Sequence, residues 1–254
     1  MNDTNIFVKK LLKKTHKIVS IDEIKNLYFD IDETANNKKL YKKIYYLKNQ
    51  WYLLSLKKDL FFIKKPEEEI QEDEIIQNNY WKYLQKVLKN NFWNNYFIWW
   101  FKALQLWNND FSIPDKIYII NPFKRNKEIL FKWKEIIYLK YTIKNFSDEK
   151  AFKFFKKFTE KYHIDWKVFN IANYELSLLE SLYSMPLEEE RFIIEYVKKN
   201  IRKNWKKIDL ETFEEFLKVG KYGSSIKKLY ELSLWIRPDF AEKIKEILKK
   251  WYWW

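Results

Sequence analysis

Asn36, Asn37, Lys39 and Lys43 crowd into a stretch whose apolar residues repeat at helical spacing. An amide side chain can pair bidentately with adenine and a lysine can reach guanine, so these types on one helix face have the chemistry to read base edges in a DNA major groove. Tyr41, Lys42 and the later pair Lys57-Lys58 carry donors suited to phosphate oxygens, contacts that fix register without reading sequence. For any one lysine, a solvated helix face is the competing explanation. The group predicts a duplex-DNA surface because charge, helix order and a following hairpin agree.

Other constellations are weaker. Asp30-Ile31-Asp32 has the spacing of a magnesium-holding carboxylate pair, but no Gly-Ser phosphate turn precedes it. His16 and His163 are far apart in sequence and the chain has no cysteine, so no metal site, nucleophilic site or disulfide framework is expected. Glu188-Glu189-Glu190 reads as the acidic first turn of a helix. Lys221-Tyr222-Gly223-Ser224-Ser225 reads as a capped helix start, without a full phosphate-loop motif. No enzyme activity and no cofactor are expected.

The elements that must position the DNA-facing residues follow from periodicity. Ile6, Phe7, Leu11 and Lys14 suit a first amphipathic helix. Ser20 with Glu23 forms a capping box for a second, whose buried face is Ile24 and Leu27. Leu40, Ile44 and Leu47 stand at i, i+4 and i+7, so a third helix from about Thr34 to Asn49 packs them inward and leaves Asn36, Asn37, Lys39, Tyr41, Lys42 and Lys43 outside. The apolar runs 52–56 and 60–63 flank Lys57-Lys58-Asp59 as a hairpin with a basic tip. Helix, helix, helix, hairpin is the order of a winged helix-turn-helix. Residues 1–65 therefore form the expected DNA-binding domain and 66–79 an acidic linker or short connecting helix. Residues 80–254 form a larger C-terminal α/β domain, so the fold class is α+β and mostly helical. Within it, strands are expected at 96–98, 117–120 and 136–139. Helices are expected at 148–163, 173–183, 186–204, 209–219, 224–234 and 238–250.

Charge supports the division. The net charge is +14, and residues 1–65 hold 15 lysines against 7 carboxylates, whereas residues 66–80 hold 6 carboxylates and no base. Cationic excess attracts polyanions, although AT-rich codon usage also enriches lysine. The longest apolar stretch, 96–107, is interrupted by Lys102 and is well short of the roughly 20 residues that cross a bilayer. With no signal-peptide pattern at the start, a cytoplasmic location and no membrane partner are expected.

Thirteen tryptophans stand against two glycines, where average usage would supply about 18 glycines. Trp51, Trp107 and Trp205 occupy helix-end and turn contexts, where a residue lacking Cβ is favoured. A gene in which UGA encodes glycine, translated here as tryptophan, would account for both counts; an aromatic-rich protein that uses Trp in its core is the alternative, since it also holds 18 Tyr and 20 Phe.

With glycine at those positions the chain resembles the AbiE-type antitoxin family of transcriptional regulators, from type IV toxin–antitoxin systems. Residues 43–53, ending Leu47-Lys48-Asn49-Gln50-Trp51-Tyr52-Leu53, followed by Lys57 to Ile63, resemble the family's L-x-x-x-G-x-L segment and wing. Tyr96-Phe97-Ile98-Trp99-Trp100-Phe101-Lys102-Ala103-Leu104-Gln105-Leu106-Trp107 resembles its Y-x-I-G-G-x-x-A-L-x-L-x-G segment, with Trp at three of the positions that need glycine. Residues 113–119 resemble the strand that follows, and 173–180 a later helix. Asp59 replaces a wing glycine and Leu176-Ser177 an Arg-Ala pair. The resemblance implies a repressor of its own promoter, bound to operator DNA. It also implies a C-terminal domain that counteracts a nucleotidyltransferase-like toxin without a stable complex. A helical protein–protein interaction module with a generic basic surface is the alternative.

Overall fold

A computed structural model describes residues 3–32, 35–183 and 186–251. It is α+β, with eleven α-helices among the described residues. Two compact units divide the chain, residues 1–79 with 129–134 and residues 80–128 with 135–254.

The first unit runs α1 (Asp3–Leu12), β1 (Ile18–Ser20), α2 (Ile21–Phe29), α3 (Asn37–Asn49), β2 (Leu53–Lys57) and β3 (Leu60–Ile63). The expected start of the third helix at Thr34 lies outside the described residues. The strands form one antiparallel sheet in the order β1-β3-β2. The Ser20–Glu23 box starts α2: Glu23 N–H donates to Ser20 Oγ at 3.2 Å, and Ser20 N–H donates to Glu23 Oε2 at 2.7 Å. Phe7, Leu11, Ile24, Tyr28, Leu40, Ile44, Leu47, Leu53, Phe61 and Ile63 share one core, so all three helices are fastened to the sheet by apolar burial. The acidic stretch is not all loop. From Glu72 it belongs to α4 (Glu72–Phe92), one 21-residue helix.

In the second unit, β4 (Phe97–Ile98), α5 (Trp100–Trp107), β5 (Lys116–Ile120), β6 (Asn126–Phe131) and β7 (Lys134–Leu139) come first. They are followed by α6 (Asp148–Lys156), β8 (Thr159–Ile164), β9 (Lys167–Ala172) and α7 (Tyr174–Tyr183). The chain ends with α8 (Glu190–Asn204), a 3₁₀ turn at Trp205–Lys207, α9 (Leu210–Lys218), α10 (Gly223–Leu234) and α11 (Pro238–Trp251). The sheet order is β6-β7-β5-β4-β9-β8; β5–β7 and β4–β9 are parallel, β4–β5 and β8–β9 antiparallel. The expected helix 148–163 is thus corrected: it stops at Lys156 and its second half is β8. Strand β9 falls between the helices expected at 148–163 and 173–183, in residues where the sequence predicts no element.

The turn that makes this hairpin is Asp165-Trp166, with φ 44° and 61°. A two-residue loop with both φ values positive is the type I′ geometry that Asp-Gly favours. Trp166 is 97% exposed, so its ring gains almost nothing from burial. Trp51 has φ 62° just past α3, where its N–H donates to Lys48 C=O and the Tyr52 N–H donates to Leu47 C=O. That bond pair is the Schellman closure, whose left-handed residue is usually glycine. Trp93 (φ 56°) lies just past α4, and Trp100 (φ 63°) begins α5. Four tryptophans therefore hold a conformation that L-residues with a Cβ disfavour by roughly 1–2 kcal/mol each. The feature is not shared by all: Trp99 has φ −123°, Trp205 −52°, and Trp107 is the last residue of α5. Trp81 is different in kind, 3% exposed in α4 and edge-on to both Tyr80 and Phe169.

Trp51→Gly, Trp93→Gly and Trp166→Gly should each raise the melting temperature, by about 2–4 °C per kcal/mol of strain relieved. Trp81→Gly should instead cost about 3–5 kcal/mol through lost packing. Thermal denaturation of the four single variants separates the two classes; destabilisation by all four would show that every ring is structural.

Candidate nucleic-acid interface

Helix α3 begins at Asn36, whose side chain accepts from Lys39 N–H at 3.0 Å and so serves as the N-cap. Leu40, Ile44 and Leu47 are buried, and the opposite face is exposed. At 100° per residue the centre of that exposed face is Lys38, Lys42, Tyr45 and Asn49, flanked by Tyr46 and Lys39 on one side and Tyr41 on the other, with exposed Lys48 further round beyond Tyr41. Tyr41 and Tyr45, one turn apart, are 58% and 68% exposed. These large aromatic hydroxyl side chains stand in water beside lysines and take no part in the core.

The expected residues divide by direction. Tyr41 and Lys42 stand on the open face, Lys39 is exposed at its edge, and Asn37 is exposed in the first turn but projects toward the buried stripe. Asn36 is exposed, with its carbonyl oxygen committed to the cap. Lys43 is half-buried, donates to Thr4 Oγ1 on α1 at 2.5 Å and lies 5.9 Å from the Tyr46 ring. Its ammonium is held against α1. In the hairpin, Lys57 Nζ donates to Ile129 C=O at 2.7 Å, and Lys132 N–H donates to Leu56 C=O. Those bonds cover the outer edge of β2 and engage Lys57. Lys58 occupies the exposed turn, next to Asp59 at φ 60°. Lys38, Tyr45, Lys48 and Asn49 belong to the surface although the sequence reading did not select them. The signal was present: with Leu40, Ile44 and Leu47 inward, a 100° projection puts 38, 42, 45 and 49 outermost.

The other titratable clusters lie in the second unit. Lys102 on α5 is buried and donates to Asp110 C=O at 2.9 Å and Ser112 Oγ at 3.3 Å. Desolvation lowers its ammonium to about 8, against the attraction of Asp110. It borders a cavity of about 560 Å³ that also touches Gln105, Asp115, Tyr118, Glu189 and Phe192. Its bonds tie the 110–112 loop to α5. Glu180, inside α7, is fully buried and accepts from the Tyr141 and Tyr222 hydroxyls. Desolvation raises its carboxyl to about 8, a rise that the Tyr141 hydrogen bond only partly offsets. Asp32, of the Asp30–Asp32 pair, accepts from Tyr28 OH at 3.1 Å. Among the described residues no three His, Cys, Asp or Glu side chains gather as a metal site.

No known protein family matches this chain, and no curated protein is significantly similar to it.

The pH dependence of stability has a definite sign. Glu180 has a folded pKa of about 8, above the 4.5 of an ordinary glutamate, so the folded state retains a proton that the unfolded chain releases. The stability this provides is complete below about pH 4.5 and is lost as pH rises through 8. Lys102 acts only above 8, in the opposite direction, because its lowered pKa favours the folded state as pH climbs toward 10.5. The melting temperature should therefore fall between pH 5.5 and 7.5, and Glu180→Gln should flatten most of that fall. An unchanged slope in the variant would remove Glu180 as its source.

Proposed function

We propose that this chain is a duplex-DNA-binding transcriptional regulator. On this reading α1–β1–α2–α3–β2–β3 is a winged helix-turn-helix, with α3 in the major groove and the Lys58 turn at the backbone. The observation that carries the proposal is the outer face of α3. Lys38, Lys42 and Lys48 alternate there with exposed Tyr41 and Tyr45, on a helix fixed from behind by Leu40, Ile44 and Leu47. The element order and the β1-β3-β2 sheet are those such a domain needs. The resemblance to AbiE-type antitoxins supplies the context: repression of its own promoter in the cytoplasm, and opposition to a nucleotidyltransferase-like toxin without a stable complex. Among the described residues no helix is long and apolar enough to cross a membrane.

Fluorescence anisotropy on the DNA upstream of its own gene, against random DNA of the same length, tests the proposal. Binding should weaken steeply with salt and favour the upstream sequence. Lys42→Ala should cost more on the upstream DNA, about 1–3 kcal/mol if it reads a base. Lys58→Ala should weaken both DNAs alike. Equal affinity for both DNAs in the wild-type protein would reject specific regulation in favour of a generic basic surface.

A further inference from the structure

A second cationic surface lies wholly in the C-terminal unit. Residues 198–207 contain six lysines and arginines and no carboxylate. At the end of α8, Arg202 and Lys203 are exposed, as are Lys206 and Lys207 in the 3₁₀ turn. Tertiary packing adds two more cations: Lys206 Nζ, Lys243 Nζ of α11 and the Arg237 guanidinium lie 5.6, 5.6 and 6.0 Å from the Trp205 ring. Arg237 also donates to the Arg202 carbonyl at 3.4 Å. Three separate segments thus bring their charges to one place.

Lysine-rich composition does not account for this arrangement. Elsewhere on the same helices four lysines are paired among the described residues, Lys198 with Glu195, Lys245 with Glu242, Lys249 with Glu246 and Lys250 with Glu214, while the exposed Lys199 of α8 is not. None of the six patch cations takes part in an ion pair among the described residues, the nearest carboxylate influence being that of Glu195 on Arg202. The helix dipole favours cations at the α8 C-terminus, but only within its last turn, and it does not explain Arg237 or Lys243. Uncompensated like charges held together repel one another, a cost that a polyanion relieves.

We propose that Arg202, Lys203, Lys206, Lys207, Arg237 and Lys243 form a sequence-independent binding surface for the phosphate backbone of duplex nucleic acid, separate from α3. A duplex fits better than a single strand. Single strands need an open aromatic face on which bases stack; Trp205, the ring these cations approach, is half-buried and flanked by three of them, and the exposed Trp235, two residues before Arg237, is not a ring that any of the six approaches.

The test uses the full chain and a labelled 30-base-pair random-sequence duplex, titrated between 50 and 200 mM salt. Four proteins are compared: wild type, Lys38→Gln/Lys42→Gln/Lys48→Gln, Arg202→Gln/Lys203→Gln/Lys206→Gln, and the two sets combined. Every cation that no longer neutralises a phosphate should flatten the slope of log affinity against log salt by about 0.9. The slope of the patch triple should therefore be shallower by about 2–3, and the α3 triple should keep residual binding that disappears in the combined protein. Lys207→Gln/Lys243→Gln, which leaves α8 untouched and adds a change on α11, should reproduce part of the effect and guards against a folding defect in the triple. A patch triple with wild-type slope overturns the proposal. So does poly-glutamate competing as well as the duplex at equal charge, since the surface would then suit any acidic partner. Random DNA is the probe, so a wild-type protein without promoter preference would reject the regulator reading and leave this measurement intact.

Discussion

A chain that reverses direction tightly needs residues that can take positive φ, and among the described residues nine that are not glycine meet that demand. Four of them are tryptophans. The demand is set by the architecture: helix α3 must close before β2 can leave in register, and β8 must turn into β9 within two residues. Without those reversals neither the α3–hairpin unit nor the edge of the six-stranded sheet forms. The indoles do not supply the conformational freedom. At Trp51, Trp93 and Trp166 the residue is 61, 73 and 97% exposed, so the side chain is pushed into water and only the backbone is used. Glycine would satisfy the same geometry without strain and without an exposed apolar patch. The backbone thus agrees with glycine at these positions, whereas Trp81, sealed between Tyr80, Phe169 and Lys102, agrees with tryptophan.

The same substitution explains which parts of the fold can be read from the sequence. The first unit is legible because its signals do not depend on glycine alone: Ser20 with Glu23, the i, i+4, i+7 spacing of Leu40, Ile44 and Leu47, and two apolar runs around a basic turn. The β8–β9 hairpin is not legible, because its strongest local signal would be Asp-Gly and the sequence shows Asp165-Trp166. Without that break, residues 148–163 read as one amphipathic helix, and Thr159 to Ile164 are absorbed into it. Strand β6 escapes for another reason: Asn126-Lys127-Glu128 opens it with mostly exposed polar residues, so little alternation marks its start.

Within the interface, residue type was easier to anticipate than direction. Lys42 and Lys43 are neighbours of identical chemistry, yet a 100° rotation leaves one in water and turns the other to Thr4 of α1. Lys57 and Lys58 diverge too, because Lys57 ends β2 and meets the Ile129 carbonyl whereas Lys58 belongs to the exposed turn that follows. Contacts made through distant sequence, 39 and 72 residues away, decide both cases. No local pattern carries that information.

Charge placement therefore says more about function than charge total. A net +14 follows from lysine-rich composition as readily as from selection for polyanions. Composition alone would scatter lysines, and scattered lysines on helices acquire Glu partners three or four residues away, as Lys153, Lys245 and Lys249 do. Such pairs add little stability when exposed, but they cancel the local field. Where the pairing stops, the field survives: on the outer face of α3, and where the end of α8 meets Arg237 and Lys243. Both places are cationic because carboxylates are missing from positions that elsewhere on the same protein hold them. Among the described residues Lys82, Lys116 and Lys199 are unpaired as well, so what sets these two places apart is the number of cations that the fold gathers at each.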